Sequence, residues 1–160
     1  MNLPNYKTDK EFMLLALEEA FRAKGLGEVP IGAVLVGKEG EIISRAHNLR
    51  ETACDPTAHA EILAIREGAK KLGGWRLSDT TLYVTLEPCP MCMGAIVLAR
   101  VKRVVFGCRD PKAGALVSLY TIGIDLKLNH RVEVEEGILR EECEKVLREF
   151  FRDIRKKVTI

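Results

Sequence analysis

The sequence predicts an α/β fold, a three-layer αβα sandwich built on a five-stranded mixed sheet. Three observations predict it: helical and strand patterns alternate along the chain, a short turn joins the first two strands, and helices connect later strands. Strands joined by a short turn pair antiparallel, whereas a crossover through a helix favours parallel pairing. The predicted order along the chain is α-β-β-α-β-α-β-β-α.

The first helix and the hairpin are predicted from signals at their ends. Thr8 and Glu11 have the spacing of a capping box, and apolar residues follow at helical spacing, so a helix begins here and ends near Gly25. The almost continuous apolar run 31–36 predicts a buried strand. A turn with glycine at both ends then leads into a second strand over 41–47.

The second half of the chain continues to alternate. Asp55 as N-cap and Pro56 at the first helical position predict a second helix, which runs to about Leu72 and is ended by two glycines. The remaining predicted elements are a strand over 80–86, a helix over 88–100, strands over 102–107 and 131–135, and an amphipathic helix over about 138–157.

Length and composition narrow the class of protein. A chain of 160 residues predicts one domain over 1–160, and 47% hydrophobic with 30% charged residues excludes a disordered or collagen-like chain. No apolar run approaches the roughly 18 residues of a membrane span. Residues 1–10 lack the apolar region of a signal peptide. We therefore expect a cytoplasmic protein with no membrane partner.

Basic residues concentrate in two segments, although the net charge is only +2. Five bases stand against one acid over 100–112, and five bases against two acids over 148–157. Such segments are either solvated faces or surfaces that bind an anionic partner.

The cysteines indicate a metal site or a redox pair rather than structural disulfides. The chain has 5 of them, and an odd number in a chain without a signal peptide favours free thiols. Cys89 and Cys92 form a C-x-x-C pair, which is typical of a metal site or of a redox pair. His59, taken alone, is compatible with a packed core histidine. Taken together, the three supply the nitrogen and sulfur ligands that zinc prefers, and they leave one tetrahedral position open, as catalytic zinc sites do.

Glu61 is the candidate general base and acid beside that site. Residues two apart on a helix lie on nearly opposite faces, which argues against a site shared with His59. The conflict disappears if the metal lies beyond the N-terminus of the helix, because side chains lean toward that end. The redox interpretation of the cysteines, in contrast, leaves the His-Ala-Glu fragment without a role.

His-x-Glu combined with Pro-Cys-x-x-Cys is the signature of zinc-dependent nucleobase deaminases. Over nearly its whole length the chain resembles the bacterial tRNA-specific adenosine deaminases, members of the cytidine-deaminase-like superfamily. The matching stretches are 28–33, 55–61, 82–89, 103–107, 109–115, 128–133, 136–139 and 150–152.

The resemblance implies a cytidine-deaminase-like fold and conversion of adenosine to inosine at the wobble position of a tRNA anticodon stem-loop. It implies a homodimer with one Zn²⁺ per subunit, held by His59, Cys89 and Cys92, with an activated water as fourth ligand and Glu61 as the proton shuttle. The residues that it implies in substrate binding are Asn48, Ala60, Asp110, Lys112, Asn129, Phe150, Phe151 and Arg152.

Other interpretations stay open at this point. The enzyme could act on a free base or nucleoside, guanine or cytosine, since Pro90 is also found at this position in guanine deaminases. A zinc or redox module without enzymatic activity is a third hypothesis. Locally, Phe150 and Phe151 also suit a core, and Asp110-Pro111 and Asn129-His130 also suit turns.

Overall fold

Five strands and four helices make up the computed structural model, which describes residues 7–158. The elements in chain order are α1 (Asp9–Gly25), β1 (Gly32–Val36), β2 (Ile42–His47), α2 (Ala60–Leu72), β3 (Thr81–Leu86), α3 (Pro90–Leu98), β4 (Arg103–Cys108), β5 (Glu133–Glu136) and α4 (Arg140–Val158). This is the predicted order. The expectation about a signal peptide in residues 1–10 falls partly on residues outside the described range.

The strands form one mixed sheet in the order β2-β1-β3-β4-β5. β1 pairs antiparallel with both β2 and β3, and β3-β4 and β4-β5 pair in parallel. The antiparallel hairpin and the parallel pairing of the second half are therefore confirmed.

Helices cover both faces of the sheet, which confirms the predicted three-layer sandwich. Along β1, Val34 and Val36 pack in one apolar cluster with α1 and α4, while Ala33 and Leu35 pack in the other with α2 and α3. The alternation follows from the period of two in a strand. Gly32 lets α1 approach β1 closely, since a Cβ at this position would lie 1.9 Å from the Ala16 carbonyl oxygen.

The first helix begins as its end signal predicts. Thr8 accepts a hydrogen bond from the Glu11 backbone N–H at 3.2 Å, and the Glu11 carboxylate accepts one from the Thr8 N–H at 2.7 Å. This capping box satisfies two of the N–H groups that a helix start leaves unpaired.

The start of the second helix was predicted wrongly. Asp55 does not cap it; its Oδ1 accepts hydrogen bonds from the Thr57 backbone N–H at 2.8 Å and hydroxyl at 2.7 Å, which closes a local turn. Asp and Asn side chains stabilise such turns as readily as helix starts. α2 begins at Ala60 with His59 as its N-cap.

Several further boundaries differ from the prediction by one or two residues. α3 begins at Pro90 rather than at residue 88, with Cys89 as N-cap and Pro90 in the first turn, where proline is tolerated. β5 begins at Glu133, two residues after the predicted start. No helix among residues 7–158 is long and apolar enough to cross a membrane.

Candidate active site

Two helix N-termini meet at the candidate site. His59 is the N-cap of α2, Cys89 is the N-cap of α3, and Cys92 lies in the first turn of α3. Both caps have extended backbones, with φ of −76° and −77°, and neither side chain caps its own helix. The three side chains are therefore available to each other.

The spacing of the three ligand atoms fits a tetrahedral zinc ion. His59 Nδ1 lies 3.6 Å from Cys89 Sγ and 3.5 Å from Cys92 Sγ, and the three atoms lie within 4.8 Å of one another. Zinc bonds of about 2.3 Å to sulfur and about 2.0 Å to nitrogen at tetrahedral angles separate N from S by about 3.5 Å. Within residues 7–158 this is the one such group of His, Cys, Asp and Glu side chains.

Without a metal ion, the pKa values of the two cysteines are shifted in opposite directions. Hydrogen bonding with the Cys92 thiol, and further contact with His59, lowers the pKa of Cys89 to about 4. The same hydrogen bond, together with burial, raises the pKa of Cys92. A coordinated cysteine is a thiolate, so metal binding at this site releases a proton.

Glu61 faces the same site. It is the second residue of α2, is buried, and interacts with its own backbone N–H and with Cys92. Burial raises the pKa of its carboxyl group. The objection from helical spacing does not apply, because His59 is an N-cap with an extended backbone and only Glu61 is helical.

An open pocket of about 540 Å³ lies over these groups. Its floor carries His59, Glu61 and Cys89, and five consecutive residues, 109–113, form part of its wall. Phe151 of α4 lines it as well. Of the residues predicted to bind substrate, the pocket thus brings together Asp110, Lys112 and Phe151.

Asn48 and Ala60 line a smaller adjoining cavity of about 80 Å³ that also reaches His59. The Asn48 Nδ2 donates to the Val29 carbonyl at 3.2 Å, and its Oδ1 accepts from the Arg50 backbone N–H at 3.1 Å. A carboxamide has a second N–H and a second lone pair for a ligand. Ala60 is the first residue of α2, so its N–H has no acceptor within the helix.

The other predicted substrate-binding residues lie away from the pocket. Asn129 is exposed in the segment before β5, and Arg152 is exposed with its Nε 3.9 Å from Asp153. Phe150 is buried with its ring 5.5 Å from that of Phe151 in an edge-to-face arrangement. Of the two aromatic residues, Phe150 belongs to the core and Phe151 to the pocket.

Several residues that line the pocket were not among the predicted site residues, including Arg50, Glu87, Arg109 and Leu147. Arg109 stood in a basic segment and at the start of a matching stretch, and Arg50 follows Asn48 by two positions. Glu87 stood inside a matching stretch as a charged residue between an apolar strand and Pro88. An acidic residue between an apolar strand and the Pro-Cys motif was the available signal.

Comparison with known proteins agrees with this geometry. A family model described as the cytidine and deoxycytidylate deaminase zinc-binding region matches residues 6–108. The tRNA-specific adenosine deaminase of Bacillus subtilis (strain 168) is 56% identical over 149 residues, which cover 93% of this chain and 92% of that protein. The chain belongs to the tRNA-specific adenosine deaminase family. The resemblance suggested by the motifs is therefore confirmed, and so is the cytidine-deaminase-like fold.

Solved structures of a tRNA deaminase and of guanine deaminases both match the chain. A structure from studies of A-to-I editing by tRNA:A34 deaminases superposes with a TM-score of 0.82 at 44% identity, covering 86% of this chain and 99% of the other. A guanine deaminase structure from Bacillus subtilis has a TM-score of 0.61 at 42% identity and covers 64% of this chain and 66% of the other. The match to the tRNA deaminase extends over more of both chains.

Proposed function

We propose that this protein is a zinc-dependent hydrolase that deaminates adenosine to inosine at the wobble position of a tRNA anticodon. The observation that carries the proposal is the ligand triad at tetrahedral spacing beneath an open pocket, with the Glu61 carboxyl group beside it. Family membership over nearly the whole chain supports adenosine in tRNA as the substrate.

His59, Cys89 and Cys92 would hold one zinc ion per subunit, leaving a fourth position for water. When bound, zinc supplies a Lewis acid that lowers the pKa of a coordinated water toward about 7, which makes that water a nucleophile for C6 of adenine. Both ligands of α3 lie at its N-terminus, where the helix dipole favours negative charge on sulfur.

Glu61 moves the protons of the reaction. Its carboxylate takes one proton from the attacking water and passes it to N1 of the base. It then takes the second proton from the new hydroxyl on C6 and gives it to the amine, so that the C6–N bond breaks, ammonia leaves and inosine remains. Its side chain is only 4% exposed, so bulk water has little access to compete for these transfers.

The pocket is suited to a base that has left its stack. Anticodon loops are single-stranded, so their bases can be splayed out and read through their edges and faces. Asn48 and the Ala60 N–H supply polar groups near the ligand triad. Asp110, Lys112 and Phe151 line the pocket, where they would contact the flipped nucleoside and its neighbours.

Basic residues of the pocket lining and exposed residues outside the pocket would meet the rest of the loop. Arg50 and Arg109 join Lys112 in the lining, and their charges suit phosphates. Asn129 and Arg152 are exposed and would contact nucleotides farther from the target. We also propose that the protein forms a homodimer and that it lies in the cytoplasm, where its tRNA substrate is found.

The test is a deamination assay on the zinc-loaded protein. One arm carries an anticodon stem-loop with adenosine at the wobble position; the others carry free adenine, guanine, cytosine and their nucleosides. We expect inosine in the stem-loop and no turnover of the free compounds. Turnover of a free base with an unreacted stem-loop would contradict the RNA substrate and leave the zinc chemistry standing.

Guanine is an alternative substrate with its own support, since a guanine deaminase structure matches part of the chain at 42% identity. The assay with free guanine tests this alternative. The same measurement also addresses the hypothesis of a zinc or redox module without activity, which predicts no product in any arm.

A further inference from the structure

Glu87 is a buried charged residue to which the proposed chemistry gives no role. It lies between the end of β3 and Cys89, and its side chain is 2% exposed although it lines the pocket. A buried carboxylate is unfavourable unless its oxygens are fully hydrogen-bonded. The partners of Glu87 therefore indicate what it does.

Its carboxylate accepts hydrogen bonds from five donors on a single segment of the chain. Oε1 accepts from the Asp110 backbone N–H at 3.1 Å and from the Ser118 hydroxyl. Oε2 accepts from the backbone N–H groups of Leu116, Val117 and Ser118 at 3.1, 2.8 and 2.9 Å. Every one of these donors lies 23 to 31 positions away in sequence.

These contacts hold the segment 110–118 at both ends. Asp110 stands near the start of the pocket wall formed by 109–113, and 116–118 follow shortly after that wall. The neighbouring Pro88 adds a further tie, because its carbonyl accepts from the Ala115 N–H at 2.8 Å. Glu87 and Pro88, the two residues that precede Cys89, thus hold the wall of the pocket in place through hydrogen bonds.

Gly114 shows how closely the segment fits the carboxylate. A Cβ at this position would lie 2.4 Å from Glu87 Oε1 and 2.5 Å from the Asp110 carbonyl oxygen. Such distances are far below van der Waals contact, so any side chain here would displace the segment from Glu87.

We propose that Glu87 is a positioning residue for RNA recognition: it holds the segment 110–118 so that Asp110 and Lys112 face the substrate. The inference rests on the proposed function and adds a residue to it. Glu87 acts through the segment and not on the substrate, because both of its oxygens are occupied by the chain's own donors. It also ties the recognition segment to the strand end that leads into the zinc ligands.

The experiment compares Glu87→Gln with the parent protein. Gln keeps the size of the side chain but has one acceptor oxygen, so at least one of the five donors loses its partner and faces another donor. We expect KM for the anticodon stem-loop to rise about tenfold, as one unpaired buried group predicts, with kcat changed by less than about threefold. We expect zinc content to match the parent and amide hydrogen exchange over 110–118 to accelerate.

Two further variants sharpen the result. Ser118→Ala removes one donor and leaves the carboxylate four, so we expect a smaller rise in KM. Gly114→Ala keeps Glu87 intact but displaces the segment, and we expect it to reproduce the KM effect of Glu87→Gln. Glu19→Gln is the matched control: Glu19 is also a buried carboxylate, with Arg22, Arg45 and His47 as partners outside the pocket lining, and KM should stay unchanged.

Two outcomes would overturn the proposal. One is faster exchange over 110–118 with KM and kcat unchanged, which would make the tie purely structural. The other is loss of zinc from Glu87→Gln, which would place the role of Glu87 at the metal site. If the parent protein itself does not deaminate the stem-loop, the proposed function fails. The exchange measurement and a binding titration with the stem-loop then still decide whether Glu87 organises an RNA-binding segment.

Discussion

The floor of the pocket and its rim are built in different ways. The floor consists of His59, Glu61 and Cys89, with Cys92 buried beside them, all at the N-termini of two helices that pack on the sheet. The rim consists of the segment 109–113, Arg50 and Phe151, which come from irregular segments and from α4. Helix starts thus hold the side chains proposed for the chemistry, whereas most of the rim proposed for recognition lies in irregular segments that tertiary contacts hold in place.

This difference has a physical reason. The chemical step needs ligand atoms placed within tenths of an ångström, which packed helix ends provide. An RNA loop presents flexible nucleotides that can adapt to exposed side chains. Changes in the floor should therefore abolish the reaction, and changes at the rim should alter affinity by degrees. The following predictions test that contrast.

The largest effect is expected from removing a zinc ligand. Cys92→Ala leaves two ligands of three, so we expect zinc to be absent by elemental analysis and deamination of the stem-loop to fall below detection. Cys54→Ala is the matched control, because Cys54 is an exposed free cysteine outside the pocket lining. A Cys92→Ala protein with a full complement of zinc would show that the ligand set is wrong.

Glu61→Gln should separate catalysis from metal binding. We expect zinc and stem-loop affinity to be retained while kcat falls by about 10² to 10⁴, since Gln cannot carry the proton. Single-turnover assays and elemental analysis on the same sample measure both. Activity equal to that of the parent would remove Glu61 from the proton transfers and leave only a packing role for it.

The same contrast explains what the sequence could and could not predict. The grouping of His59, Cys89 and Cys92 was predictable because C-x-x-C and His-x-Glu are local motifs and zinc chemistry restricts their meaning. The start of α2 was not, because Asp55 satisfies local donors in a turn as well as it would cap a helix. The contribution of Glu87 was not predictable either, since its donors lie more than 20 positions away and only the folded chain brings them together.

Phe150 and Phe151 are adjacent in α4, but Phe150 is buried in the core and Phe151 lines the pocket. Phe150→Ala empties a core position and should lower the free energy of unfolding by about 3 kcal/mol, measured by chemical denaturation. Phe151→Ala removes a ring that is 43% exposed at the pocket. We expect it to keep stability but raise KM for the stem-loop about tenfold, the usual consequence of losing a stacked base. The reverse assignment of the two effects would contradict the division between core and pocket.

The smallest effect is expected at Arg152, which lies outside the pocket lining. Its side chain is 54% exposed and its approach to Asp153, at 3.9 Å, is a weak surface ion pair, so a phosphate can compete for it. A single lost phosphate contact on single-stranded RNA reduces the slope of log K against log salt by about 0.7. We therefore expect Arg152→Ala to weaken stem-loop binding by a few fold at low salt, with a correspondingly shallower salt slope and unchanged kcat.

Lys38→Ala is the control, because Lys38 is an exposed base in the β1–β2 turn, at the opposite end of the sheet from the zinc ligands. Equal salt slopes for the parent, Arg152→Ala and Lys38→Ala would show that RNA does not contact the protein beyond the pocket. This part of α4 would then be only a solvated face.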